Sequence, residues 1–110
     1  MLLATILIVI TQQKPLELVS EGIASYYTIE SSSRLTASGD EMFDDQMTCA
    51  MKTGKFHQRL YVVSDDGVVV VRRNDRGPYI RGRVIDLTLK AMRAMTNKDL
   101  IQVRVYKPRG

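Results

Sequence analysis

The residues best suited to chemistry gather where Val68-Val69-Val70-Val71 runs into Arg72-Arg73-Asn74-Asp75-Arg76-Gly77-Pro78-Tyr79. A β-branched run of this kind forms a strand, and the charged turn after it displays one carboxylate, Asp75, between the guanidiniums of Arg73 and Arg76. A single carboxyl group held at a strand end can give and take a proton. The same residues also describe an ion-paired turn, in which nearby cations lower the carboxyl pKa and oppose proton donation at neutral pH. A second acidic pair, Asp40-Glu41, follows Leu35-Thr36-Ala37-Ser38-Gly39. One cysteine and one histidine give no metal-ligand spacing. There is no glycine-rich phosphate loop, and no cofactor is implied.

Three segments, taken in order, carry a resemblance. Gly22-Ile23-Ala24-Ser25-Tyr26-Tyr27, Leu35-Thr36-Ala37-Ser38-Gly39 and the Asn74-Asp75-Arg76-Gly77-Pro78 run, followed by Arg83-Val84-Ile85-Asp86-Leu87, resemble the rare lipoprotein A (RlpA) family of bacterial envelope proteins. The resemblance covers roughly Gly22 to Val105. It implies an all-β fold, a six-stranded double-psi β-barrel with one short helix, and a lytic transglycosylase acting on the glycan strands of peptidoglycan. Expansins and family 45 endoglucanases are more distant barrel relatives.

Cleaving a glycosidic bond requires an acid to protonate the leaving oxygen and a group to stabilise or attack the sugar cation. Lytic transglycosylases use an internal sugar hydroxyl as the final nucleophile, so one acid/base can serve both steps. The resemblance assigns the catalytic acid of Asn-Asp-Arg-Gly-Pro to Asp75. It places a catalytic glutamate after Thr-Ala-Ser-Gly, where ungapped alignment puts Asp40 and a one-residue shift restores Glu41. The family's Leu-Thr-Ala-Ala-His reads Met47-Thr48-Cys49-Ala50-Met51 here, so Met51 stands at the histidine position. A methionine neither donates nor relays a proton. His57 comes six residues later, about 20 Å along an extended strand, and reads as a surface residue. The candidate substrate-binding set is Tyr26, Tyr27 and Tyr79, whose rings suit stacking on sugars, with Arg73 and Arg76. Arg83 and Asp86 are expected to pair or to cap a helix.

The elements that must hold these residues follow from local pattern. Gly22 to Thr28 reads as a first strand, and Leu60–Val63 and Val68–Arg72 as a hairpin joined by Ser64-Asp65-Asp66-Gly67. Asp86–Met95 is the expected helix, with Leu87, Ala91, Ala94 and Met95 on one face, and Ile101–Tyr106 a closing strand. The expected domain spans 22–107, preceded by an apolar arm or degenerate export signal plus linker at 1–21. Met1 to Ile10 would reach only about 15 Å as a helix, too short to cross a bilayer. Without a positive n-region, an Ala-x-Ala site or a lipobox cysteine it departs from an ordinary leader, and as an arm it is expected to offer a protein contact. The lone Cys49 reads as a small buried hydrophobe.

Charge is unevenly spread. Residues 1–66 carry 5 Lys/Arg against 9 Asp/Glu, and residues 67–110 carry 11 against 3. The basic half suits an anionic polymer such as peptidoglycan. Nucleic acid is disfavoured, because no binding signature is present and the arginines are interleaved with strand residues. The resemblance implies a location in the cell envelope, periplasmic or extracellular, with a virion as the alternative. Two other readings belong to different classes. One is an inactive barrel serving an envelope or phage-tail assembly. The other is expansin-like polysaccharide binding, which the absence of Trp disfavours.

Overall fold

The computed structural model describes residues 15–28, 35–41 and 43–109. Its elements are β1 (Leu16–Tyr27), β2 (Thr48–Ala50), β3 (Arg59–Val63), β4 (Val68–Asp75), β5 (Arg83–Thr88), α1 (Leu89–Met95) and β6 (Ile101–Pro108). The strands close into a barrel in the order β1-β5-β2-β4-β3-β6. Pairing is mixed: β1 with β5 and β2 with β4 run parallel, the other neighbours antiparallel. Closure leaves no unpaired edge inside the sheet.

Alternation along each strand builds the interior. Ala24, Cys49, Leu60, Val62, Val69, Val71, Ile85, Leu87, Val103 and Val105 form one core cluster, and Ala91, Met92 and Met95 of α1 join it. Cys49 is fully buried, as its sequence context suggests, and burial pushes its thiol pKa well up.

The expected hairpin of β3 and β4 forms, with Val63 opposite Val68 and Leu60 opposite Val71. Ser64 ties its turn, its amide donating to Gly67 O at 2.9 Å and its hydroxyl accepting from the Asp66 and Gly67 amides at 3.2 Å each. Gly67 serves close approach here: a Cβ at that position would stand 3.0 Å from the Met95 carbonyl oxygen.

Two expected boundaries move. The first strand begins at Leu16, so Leu16–Glu21 is strand where a linker is expected. Its backbone pairs with β6 as far as Leu16 opposite Pro108, and this long-range pairing leaves little apolar signature because Leu16, Leu18 and Val19 stay exposed. The helix begins at Leu89, three residues late, because Asp86–Thr88 continue β5 beside Ser25–Tyr27 of β1. Met1–Ile10 lies outside the described residues.

The two charge halves meet across the barrel. Glu21 pairs with Arg104 at 2.9 Å and Glu17 with Lys107 at 3.2 Å, both as direct β1–β6 partners. Lys98 pairs with Asp66 at 3.4 Å and Arg72 with Asp40 at 3.0 Å. Much of the basic half is therefore answered within the chain.

Candidate active site at the end of β4

Asp75 closes β4, and its carboxylate is held by backbone. Its Oδ1 accepts from the amides of Ala37 and Arg76, each at 2.9 Å. Neither guanidinium beside it in sequence forms an ion pair with it among the described residues. Arg73 and Arg76 instead lie over the Phe56 ring, at 4.5 and 5.1 Å from its centroid. Asp75 is thus a carboxylate with one oxygen oriented by two N–H groups, where the sequence suggests a clamp of two cations.

The turn that supplies Ala37 is itself locked. Thr36 accepts from the Gly39 amide at 3.0 Å and donates its own amide to Asp40 O at 2.9 Å, while the Ser38 amide donates to Asn74 O at 3.1 Å. Gly39 takes φ +92°, which favours glycine there. These bonds set the Thr-Ala-Ser-Gly segment against the Asn74-Asp75 strand end.

Asp40 sits on the far side of that turn, where Oδ2 accepts from Arg72 Nη1 at 3.0 Å and lies 4.0 Å from His57 Nδ1. Arg72 also contacts His57 Nδ1. The Arg72 hydrogen bond holds the Asp40 carboxyl below the usual carboxylate range. Glu41 is exposed and pairs through its backbone with Leu35. The structure brings Asp40, and not Glu41, to the charged cluster.

His57 reaches Asp40 because residues 51–58 form a loop instead of an extended strand. Gly54 turns it at φ +108°, His57 itself takes φ +68°, and its amide donates to Arg73 O at 2.6 Å. The 20 Å separation expected from a straight strand does not apply. His57 is exposed, as expected, and it is also the one imidazole at the site.

Arg73, a candidate substrate contact by sequence, is committed to the scaffold by its hydrogen bonds. It is 3% exposed. Its Nε and Nη2 donate to Met51 O at 3.1 and 2.7 Å, and Nη1 to Gly54 O at 2.6 Å. Met51 is buried in the core cluster, and its amide donates to Asp75 O at 3.1 Å. The residue at the family's histidine position thus packs a thioether inward while its backbone braces Asp75.

Of the tyrosines, Tyr26 is half-buried, packs against the core and takes the Arg93 guanidinium over its ring at 5.1 Å. Tyr27 points the other way. Its hydroxyl is buried and, like that of Thr48, makes no hydrogen bond of good geometry among the described residues. Burial first, then the charges of Asp75 and Asp86, push the Tyr27 pKa up, which keeps the phenol protonated. Tyr79 is 77% exposed, just beyond Gly77, whose φ of +114° requires glycine. Arg76 is exposed beside it.

One further carboxylate joins this wall. Asp75 and Asp86 both pair with Ala50 of β2, and Asp86 also pairs with Ser25. The Ser25 hydroxyl donates to Asp86. Asp86 therefore stands two strands from Asp75 in one cross-barrel row, instead of capping the helix, whose N-cap is Thr88. The sequence signal was its place in β-branched Val84-Ile85, which favours strand over helix. Among the described residues no group of three or more His, Cys, Asp or Glu is placed to hold a metal ion, and no helix is long and apolar enough to cross a membrane.

The closed six-stranded barrel of mixed strand pairing with one short helix is a double-psi β-barrel, and it presents an anchored carboxylate at a strand end. The family described as lytic transglycolase matches residues 19–106. The chain belongs to that family, whose RlpA-like members its motifs resemble. It is 37% identical over 91 residues to the endolytic peptidoglycan transglycosylase RlpA of Haemophilus influenzae, covering 79% of this chain and 32% of that protein. The Escherichia coli K12 RlpA is 35% identical over 95 residues, covering 84% and 26%. A probable RlpA of Synechocystis is 42% identical over 79 residues, covering 70% and 25%. The chain thus spans about a third or less of the length of these curated relatives. In fold it is similar to Streptomyces papain inhibitor, with TM-score 0.62 at 16% identity over 80% of this chain and 91% of that one. It is equally similar to an apo Clavibacter michiganensis expansin, with TM-score 0.62 at 20% identity over 82% and 50%.

Proposed function

We propose that this domain is a lytic transglycosylase that cleaves peptidoglycan glycan strands in the cell envelope. The observation that carries the reading is Asp75, a carboxylate that is anchored, among the described residues, through Oδ1, with Oδ2 available to exchange a proton. Asp75 protonates the leaving glycosidic oxygen as the bond to the muramic acid C1 breaks. The resulting carboxylate then takes the proton of the muramic acid C6 hydroxyl as that oxygen attacks C1. The products are a 1,6-anhydro end and a free 4-hydroxyl end, and Asp75 is regenerated. No water enters the balance.

The second group is Asp40. Arg72 keeps it ionised, so it supplies negative charge toward the oxocarbenium-like transition state and not a proton. Glu41, exposed at its bridge, is the weaker candidate for that part. The buried, protonated Tyr27 phenol is a donor on the Asp75 wall, and exposed Tyr79 and Arg76 border the strand end where a sugar would stack.

Incubating the protein with intact and peptide-stripped peptidoglycan and reading 1,6-anhydro-muropeptides by mass spectrometry tests this. Anhydro products that vanish in Asp75→Asn support it. Glycan binding without products from either substrate would overturn it and leave a binding or assembly barrel.

A further inference from the structure

A hollow of about 460 Å3 on the outer face of β3 and β4 is lined by His57, Arg59, Arg72, Val70, Met47 and Pro108, of which Arg72 alone bears on the reaction above, through Asp40. Arg59 and Arg72 are direct cross-strand partners. Like charges placed opposite each other in a sheet cost free energy unless an anion joins them. Asp40 answers Arg72. The Arg59 guanidinium, exposed at the rim, makes no hydrogen bond or ion pair among the described residues. Because His57 Nδ1 meets an Arg72 N–H, which can only donate, the ring nitrogen left to donate is Nε2. The hollow therefore offers one uncommitted planar fork and one N–H, beside apolar Val70 and Met47. Its volume is that of a small-ligand site.

We propose that this hollow is an anion subsite that binds a carboxylate of the glycan substrate, with Arg59 as the principal donor and His57 Nε2 and Arg72 beside it. The identity of the ligand rests on the function proposed above. Guanidinium and carboxylate match as a bidentate pair, and the mixed lining suits a carboxylate carried on a short aliphatic stem. Peptidoglycan has two such sources: the lactyl group of a muramic acid freed of its peptide, and the carboxylates of the stem peptide itself. The subsite is continuous with the candidate active site through a single turn, since Ala37 holds Asp75 while Asp40, three residues on, holds Arg72. A glycan placed by its carboxylate in the hollow would be positioned relative to the acid.

The test is an NMR titration of the full chain, following the Arg side-chain N–H and His57 ring signals, with N-acetylmuramic acid, N-acetylglucosamine and a stem tetrapeptide as separate probes. The two sugars differ by the lactyl carboxylate. The expected result is that N-acetylmuramic acid shifts the Arg59 and His57 signals and N-acetylglucosamine does not. Arg59→Gln weakens that binding about tenfold or more, and Arg59→Lys, which keeps charge without the fork, weakens it less. A response to the tetrapeptide that is lost in Arg59→Gln also supports the subsite and assigns its carboxylate to the stem. Equal responses to the two sugars with none to the peptide, or unchanged binding in Arg59→Gln, would overturn it. Since binding is read without bond cleavage, Arg59-dependent binding by a chain that yields no anhydro product keeps the subsite and removes the activity. Products without Arg59-dependent binding do the reverse.

Discussion

The backbone amide of Ala37 donates to Asp75 Oδ1 at 2.9 Å across 38 residues of sequence. With the Arg76 amide on the same oxygen, it makes the candidate acid part of the fold's hydrogen-bond accounting as well as of its chemistry. Asp75→Asn keeps an acceptor at Oδ1, so unfolding in urea should be nearly unchanged while anhydro products disappear. Asp75→Ala removes both bonds and, because the two amides are exposed and water can replace the carboxylate, should cost about 1 kcal/mol in addition. Equal stability of the two variants would show that these bonds do not hold the turn.

Arg72 sets the charge state of Asp40. A carboxyl whose folded pKa is depressed contributes stability that is fully present above its unfolded value, about 3.9, and lost as pH falls through the folded value. The Asp40–Arg72 contribution is thus complete above about pH 4 and fades in more acidic solution. It is small, because Asp40 is 34% exposed and Arg72 41%, and solvent screens the pair. Arg72→Gln should move the Asp40 titration upward toward the ordinary carboxyl range, read by carboxyl-carbon NMR. An Asp40 pKa unmoved by the substitution would remove Arg72 as its cause.

Arg73 separates scaffold from substrate contact. Among the described residues its guanidinium meets the Met51 and Gly54 carbonyls; Gly54 is exposed, so Arg73→Ala leaves the buried Met51 acceptor unpaired and should cost about 2 kcal/mol. Arg73→Lys, with a point charge in place of a fork, should recover only part of this. If Arg73 instead served the glycan, Arg73→Lys would leave urea unfolding alone and change glycan binding.

Met51→Leu tests whether the missing histidine matters through Met51 itself. The swap conserves volume in the core and should cost less than about 1.5 kcal/mol. Product formation should stay within about twofold of the parent, since a thioether moves no proton. A large loss of turnover with intact stability would give the sulfur a role that packing does not explain.

Element by element, legibility followed locality. The β3–β4 hairpin and β6 were readable because alternation and the Asp66-Gly67 turn act between near neighbours. The extension of β1 back to Leu16 was not, because its stability comes from backbone bonds and ion pairs to β6, more than 80 residues away. The start of α1 lies later than local pattern suggests for the same reason: parallel pairing of Asp86–Thr88 with β1 outcompetes a helical first turn.

The site divides along the same line. The sequence by itself determined which carboxylate to watch and the motif around it, because Asn74-Asp75-Arg76-Gly77-Pro78 is contiguous and its turn requires glycine at Gly77. Only the tertiary structure decided what surrounds each group. It turned Arg73 inward onto carbonyls, gave Asp75 two amides in place of two cations, and brought Asp40, Arg72 and His57 together from separate segments. The physical reason is that a side chain's charge state and partners depend on through-space neighbours, and barrel closure chooses those from strands that no local pattern connects.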